Sequence, residues 1–165
     1  MRRIALALAA SCLAAFAGCS NPYELATVQG RVLTCEGKPA AGGVVIFRPI
    51  DDPEATGRKK GNPGREARGT VADDGTFTLT TIGIEPSPGA VTGRHTVSFQ
   101  MPPTKKPVLL PDEKAGMSSE EAAQVEADFA SRPVYPPLRC SDQIQPGEVT
   151  VVSGENNFEF KLPPK

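Results

Sequence analysis

Asn157-Phe158-Glu159-Phe160-Lys161-Leu162 alternates polar and apolar side chains without a break. Successive side chains of a strand point to opposite faces. This stretch therefore predicts a strand with Phe158, Phe160 and Leu162 inward and Asn157, Glu159 and Lys161 outward. Working back toward the start of the chain, Ser153-Gly154-Glu155 reads as a turn and Glu148 to Val152 as the strand before it. Arg94 to Met101 alternates again, with His95, Val97, Phe99 and Met101 on one face. Thr76 to Thr80 does the same with Phe77 and Leu79, preceded by the tight turn Asp73-Asp74-Gly75 and a strand from Ala67 to Ala72. Gly43 to Arg48 is an apolar run of buried-strand type. Glu36-Gly37-Lys38-Pro39 is a turn, and Thr27 to Leu33 alternates with Val28, Gly30 and Val32 on one side. Seven short strands separated by turn signals predict an all-β fold, a two-sheet β-sandwich. Seventeen prolines, sixteen glycines and no tryptophan suit a small β-protein with long loops.

Three segments lack this rhythm. Pro49 to Glu66 is charged and rich in Gly and Pro, and reads as a solvated loop. Gly83 to Gly93 reads as loop. Pro102 to Pro137 reads as an insertion holding one short helix over about 118–131. Ser118 or Ser119 is its cap, and Glu120 and Glu121 sit in the first turn, where carboxylates suit the helix dipole. Its apolar stripe, Ala123, Val125, Ala127, Phe129 and Ala130, is modest.

The first residues carry a different signal. Arg2 and Arg3 precede the apolar run Ile4 to Ala17, which is too short to span a bilayer and fits an export signal. The run ends in Phe16-Ala17-Gly18-Cys19, which resembles the lipobox of bacterial lipoproteins, with Phe16 in place of the usual Leu or Val. That resemblance implies cleavage after residue 18 and a lipid anchor on Cys19. The expected organisation is a signal peptide at 1–18, a lipidated tether at 19–26 and one domain at 27–162 with the insertion at 102–137. Without Arg2 and Arg3, sixteen basic residues face nineteen acidic ones, a net charge of −3. This argues against nucleic acid as a partner, which requires a basic footprint.

Of the four cysteines, Cys12 belongs to the signal and Cys19 to the anchor. Cys35 and Cys140 remain, in an exported chain where disulfides persist. A bridge between them is one expectation and two separate thiols the other, because spacing alone does not give a Cα separation.

Several stretches in order resemble the carboxypeptidase regulatory-like, transthyretin-like domain: Val28-Gln29-Gly30-Arg31-Val32, Gly37-Lys38-Pro39, Gly43 to Pro49, Gly69 to Phe77, and Gly93-Arg94-His95-Thr96-Val97. His95 stands where that family usually has Tyr. Tyr135 to Leu138 and Gly154 to Phe160 resemble small bacterial lipoproteins built on this domain. The resemblance implies a seven-stranded sandwich of prealbumin type. In peptidases it is an accessory to a separate catalytic domain, so it brings no catalytic residues and no cofactor.

Residue by residue, the chemistry is sparse. His95 is the one histidine, so a Ser-His-Asp triad or Cys-His pair would have to use it, yet it sits mid-strand on an apolar face. A multi-histidine zinc site is excluded by count. Asp73 and Asp74, or Asp51, Asp52 and Glu54, offer carboxylates of the kind calcium takes, without a full binding loop. The expected function is a non-catalytic, membrane-anchored extracytoplasmic lipoprotein that binds an envelope protein, peptide or glycan. The alternatives are a small transthyretin-like hydrolase or accessory subunit of an envelope enzyme, and a carrier of small ligands.

Overall fold

The computed structural model describes residues 23–51, 64–83 and 85–165. The expected signal peptide and Cys19 lie outside the described residues, as do residues 52–63 of the charged loop. In chain order the elements are β1 (Leu25–Leu33), β2 (Val44–Pro49), β3 (Ala67–Thr70), β4 (Thr76–Thr78), β5 (Thr80–Thr81), β6 (Ser87–Pro88), β7 (Ala90–Val91) and β8 (Gly93–Gln100). Then come α1 (Pro111–Lys114), α2 (Ser119–Ser131), β9 (Glu148–Val151) and β10 (Glu155–Lys161). The seven expected strands are β1, β2, β3, β4, β8, β9 and β10; β5, β6 and β7 are two residues each.

Two sheets face one another as a β-sandwich. One has the order β10-β1-β4, with β7 pairing the start of β1; the other runs β6-β5-β3-β2-β8-β9. The first and last strands are parallel neighbours, with Gly30 opposite Phe158 and Val32 opposite Phe160. Val28, Val32, Phe77, Phe160 and Leu162 from the smaller sheet meet Val45, Phe47, Val97, Phe99 and Val151 from the larger in one buried core. The alternation read from sequence thus decides the inner face: in β1, β8 and β10 the residues assigned inward are buried or half-buried. Gly30 has a packing role. A Cβ there would strike the Phe158 carbonyl and lie 2.9 Å from the Phe77 ring.

The structure differs from expectation in five local details. β1 begins at Leu25, and Ala26 is buried, because Leu25 and Ala26 pair with Val91 and Ala90; the tether therefore stops short of residue 25. The strand read from Thr76 to Thr80 divides at Leu79. Thr78 pairs with Gln29 in one sheet and Thr80 with Arg68 in the other, so the chain changes sheets while its alternation continues. The segment 83–93, read as loop, supplies β6 and β7. The helix is capped as expected, with the Ser118 Oγ accepting from the Glu121 N–H and the Glu121 carboxylate accepting from the Ser118 N–H. Its half-buried face is Ala122, Val125 and Phe129, at helical spacing, in place of the broader stripe expected. The single turn α1 had no periodicity to announce it.

The insertion is tied back at several points. Tyr135 N–H donates to the Pro103 carbonyl at 2.9 Å, and Leu109 is buried. Cys35 and Cys140 form a disulfide with a Cα–Cα distance of 5.6 Å, joining the chain just after β1 to the chain just after the insertion. Among the described residues no helix is long and apolar enough to cross a membrane.

Candidate functional site

The outward face of β10-β1-β4 forms the floor of an open groove of about 680 Å³. Strand register brings its side chains into rows. Gln29 lies between Asn157 and Thr78, and Arg31 lies between Glu159 and Thr76. Thr70 and Ala72, from the end of β3 and the residues after it, line one side. The groove thus presents two carboxamides, several hydroxyls, one guanidinium and one carboxylate. Arg31 Nε donates to the Asp74 carbonyl at 3.3 Å, which draws the guanidinium toward the β3–β4 turn. The Asp74 carboxylate is held below its ordinary pKa because it accepts hydrogen bonds from the Thr76 hydroxyl at 2.7 Å and the Thr76 N–H at 2.9 Å. Those bonds brace the turn at the rim of the groove. Such a surface can hold a polar ligand by hydrogen bonding. No aromatic side chain faces outward from these strands to stack on a sugar ring.

The edge of this sheet is equally informative. In parallel pairing the N–H and C=O of alternate residues point to the same side. Leu162 N–H donates to the Leu33 carbonyl, and Thr27 N–H donates to the Gly154 carbonyl, so the even-numbered residues of β10 face β1. The odd-numbered ones face away. Lys161 uses its outward groups in two 2.9 Å hydrogen bonds with Gln145. Among the described residues, no backbone hydrogen bond takes the outward groups of Glu155, Asn157 or Glu159.

The residues singled out from sequence are dispersed. Cys19 lies outside the described residues. Cys35 and Cys140 are bonded to one another, so the alternative of two thiols is set aside. His95 is 0 % exposed, hydrogen-bonds through Nδ1 to the Gly93 carbonyl at 2.9 Å, and stands 5.8 Å from the Phe47 ring. It is a core residue, as its register with Val97 and Phe99 implied. Asp74 is occupied with Thr76; Asp52 and Glu54 lie outside the described residues. Across the outer face of the larger sheet, Glu66 bridges Arg48 at 2.9 Å and Arg68 at 2.5 Å; these exposed pairs contribute little stability. The groove residues Gln29, Arg31, Asn157 and Glu159 were readable as outward positions. Their convergence depends on the parallel pairing of the first and last strands, which no local spacing encodes.

Fold and groove together define a disulfide-linked, two-sheet β-sandwich with a polar face. No family model matches the chain, and no curated protein matches it. Among solved structures the chain is similar to a DUF3823 family protein from Parabacteroides merdae. The two are 13 % identical, with a TM-score of 0.34, over 86 % of this chain and 47 % of that one. The chain therefore spans about half the length of that protein.

Proposed function

We propose that the protein is a non-catalytic lipoprotein, anchored to a bacterial membrane through lipid on Cys19 and displaying a carboxypeptidase regulatory-like domain to an envelope partner. The observation that carries this reading is the lipobox-like Phe16-Ala17-Gly18-Cys19 placed directly ahead of β1. Five residues, Ser20 to Glu24, separate Cys19 from Leu25. Fully extended, that tether reaches roughly 20 Å. The Leu25 end of the sandwich then lies toward the membrane and the Cys35–Cys140 end away from it. A lipid anchor of two or more chains holds stably without a membrane-spanning helix.

Burial of His95 supports the non-catalytic reading, since the one imidazole is fully enclosed beside Phe47 and is not presented to a substrate. The polar groove and the β10 edge support a binding role on the extracytoplasmic side. Expression of the full chain with and without Cys19→Ala, followed by palmitate labelling and membrane fractionation, tests the anchor. Labelling and membrane recovery should fall away in the variant. Equal labelling and recovery in both chains would overturn it.

A further inference from the structure

We propose that the free edge of β10 receives an extended peptide segment as an added strand, with basic residues opposite Glu155 and Glu159 and apolar residues opposite Phe158. The proposal rests on the binding-module reading above and names its partner class. An exposed strand edge is a template for further pairing, and main-chain hydrogen bonds supply affinity in this mode. The outward N–H and C=O groups of Glu155, Asn157 and Glu159 form such a template over five residues of β10. Gln145 already occupies the same edge at Lys161 in an antiparallel bridge, and the chain then leaves for β9 in the other sheet. The added strand would continue where Gln145 stops.

Side chains along this edge specify the occupant. β10 is the end strand of its sheet, and its Phe158 and Phe160 rings stand 5.8 and 5.9 Å from the Phe47 ring of β2. At this edge the core is incompletely covered: Phe158 is half-buried and packed against it. A strand laid along β10 turns alternate side chains inward over Phe158, which favours apolar residues at those positions. Its remaining side chains lie outward beside Glu155, Asn157 and Glu159. The two carboxylates there are exposed and form no ion pair among the described residues, so basic residues complement them. The same charges disfavour a second copy of the chain. Antiparallel self-pairing about Asn157 would set Glu155 opposite Glu159, and like charges directly opposite are destabilising. A glycan finds no outward aromatic ring on this face to stack against, and its hydroxyls do not reproduce the regular spacing of main-chain groups that a strand edge matches.

The test uses the full chain purified in detergent and a fluorescent, end-blocked Lys-Val-Thr-Val-Lys peptide, with Glu-Val-Thr-Val-Glu as the charge-reversed probe. Saturable binding of the basic peptide is expected, at least tenfold weaker for the acidic one. Asn157→Pro removes an outward N–H and leaves the β1 ladder intact, because edge strands tolerate proline where the N–H faces solvent. It should weaken the basic peptide at least tenfold. Should that variant fail to fold, Glu155→Lys with Glu159→Lys serves instead and should reverse the preference between the two peptides. No saturable binding by the wild type, equal binding by the charge-reversed chain, or capture of soluble glycan fragments in place of peptide would overturn the proposal. Protection of the Asn157 and Glu159 amides from exchange in a concentration-dependent dimer would do the same. Membrane recovery and palmitate labelling of the same preparations report separately on the anchor.

Discussion

The ring of Tyr135 occupies the space that a side chain on Gly42 would require. This contact closes the insertion against the turn before β2, next to the Tyr135–Pro103 hydrogen bond. Gly42 also has a φ of 76°, which disfavours any L side chain. Gly37 has nearly the same φ, 77°, with open space around its Cα. The two glycines therefore separate backbone strain from steric conflict. Gly37→Ala should cost about 1 kcal/mol from strain alone. Gly42→Ala should cost about 1–3 kcal/mol more, from overpacking against the ring. Urea unfolding of both variants measures the difference, and repeating Gly42→Ala in a Tyr135→Ala background should shrink it. An unchanged cost in that background would remove Tyr135 from the account.

Cys35 and Cys140 close a loop with a sequence separation of 105. In the chain-entropy model a loop of this size stabilises the fold by about 4–5 kcal/mol. Under non-reducing conditions the denatured chain carrying Cys12→Ser and Cys19→Ser should give no free thiol with a thiol reagent. Reduction should expose two thiols and lower the unfolding midpoint substantially. Two reactive thiols before reduction would remove the bridge.

Strand positions were legible because one face of each strand is buried and the other wet, which imposes a period of two on residues such as Phe158, Phe160 and Leu162. Periodicity does not report which strands are neighbours. The parallel pairing of Thr27–Leu33 with Glu155–Lys161 joins opposite ends of the domain, so the groove built on Gln29, Arg31, Asn157 and Glu159 was not visible. Nor does alternation reveal a change of sheet: Thr76 to Thr80 keeps its period while its hydrogen bonds pass from β1 to β3 at Leu79. The helix boundaries were readable for the opposite reason. The Ser118–Glu121 capping box is a purely local device, complete within four residues.

Acid should weaken the fold through its capped carboxylates. Asp74 is held low by the Thr76 hydroxyl and N–H, Glu36 by Lys38, and Glu121 by the N–H and hydroxyl of Ser118. A carboxyl whose folded pKa is depressed stabilises the fold above its unfolded value, and that contribution disappears as pH falls through the folded one. The melting temperature should therefore drop below about pH 4, the ordinary carboxylate range. Asp74→Ala should melt lower than wild type at pH 6 and show a smaller drop between pH 6 and pH 3. Parallel melting curves for the two chains across that range would contradict the role assigned to the Asp74–Thr76 turn.

His95 gives the sharpest test of the core. Its ring is fully enclosed, opposite Val149 in β9 and 5.8 Å from Phe47. His95→Asp would place a carboxylate where water is excluded, and among the described residues no Lys or Arg is buried to answer it, a loss of about 3–5 kcal/mol. His95→Tyr installs the residue usual in the family that the sequence resembles. It adds two heavy atoms to a closed site, so overpacking of about 1–3 kcal/mol is the expected cost, smaller than that of Asp. Thermal and denaturant unfolding of both variants should rank them wild type, Tyr, Asp. Equal stability of all three would mean that His95 is not enclosed, and the inward register of β8 would fall with it. The same variants bear on function. With Cys19 and the outer face untouched, folded His95→Tyr should match the wild type in membrane recovery and peptide binding. Loss of a measurable hydrolytic activity in a folded His95→Tyr chain would instead assign the imidazole to chemistry and overturn the non-catalytic reading.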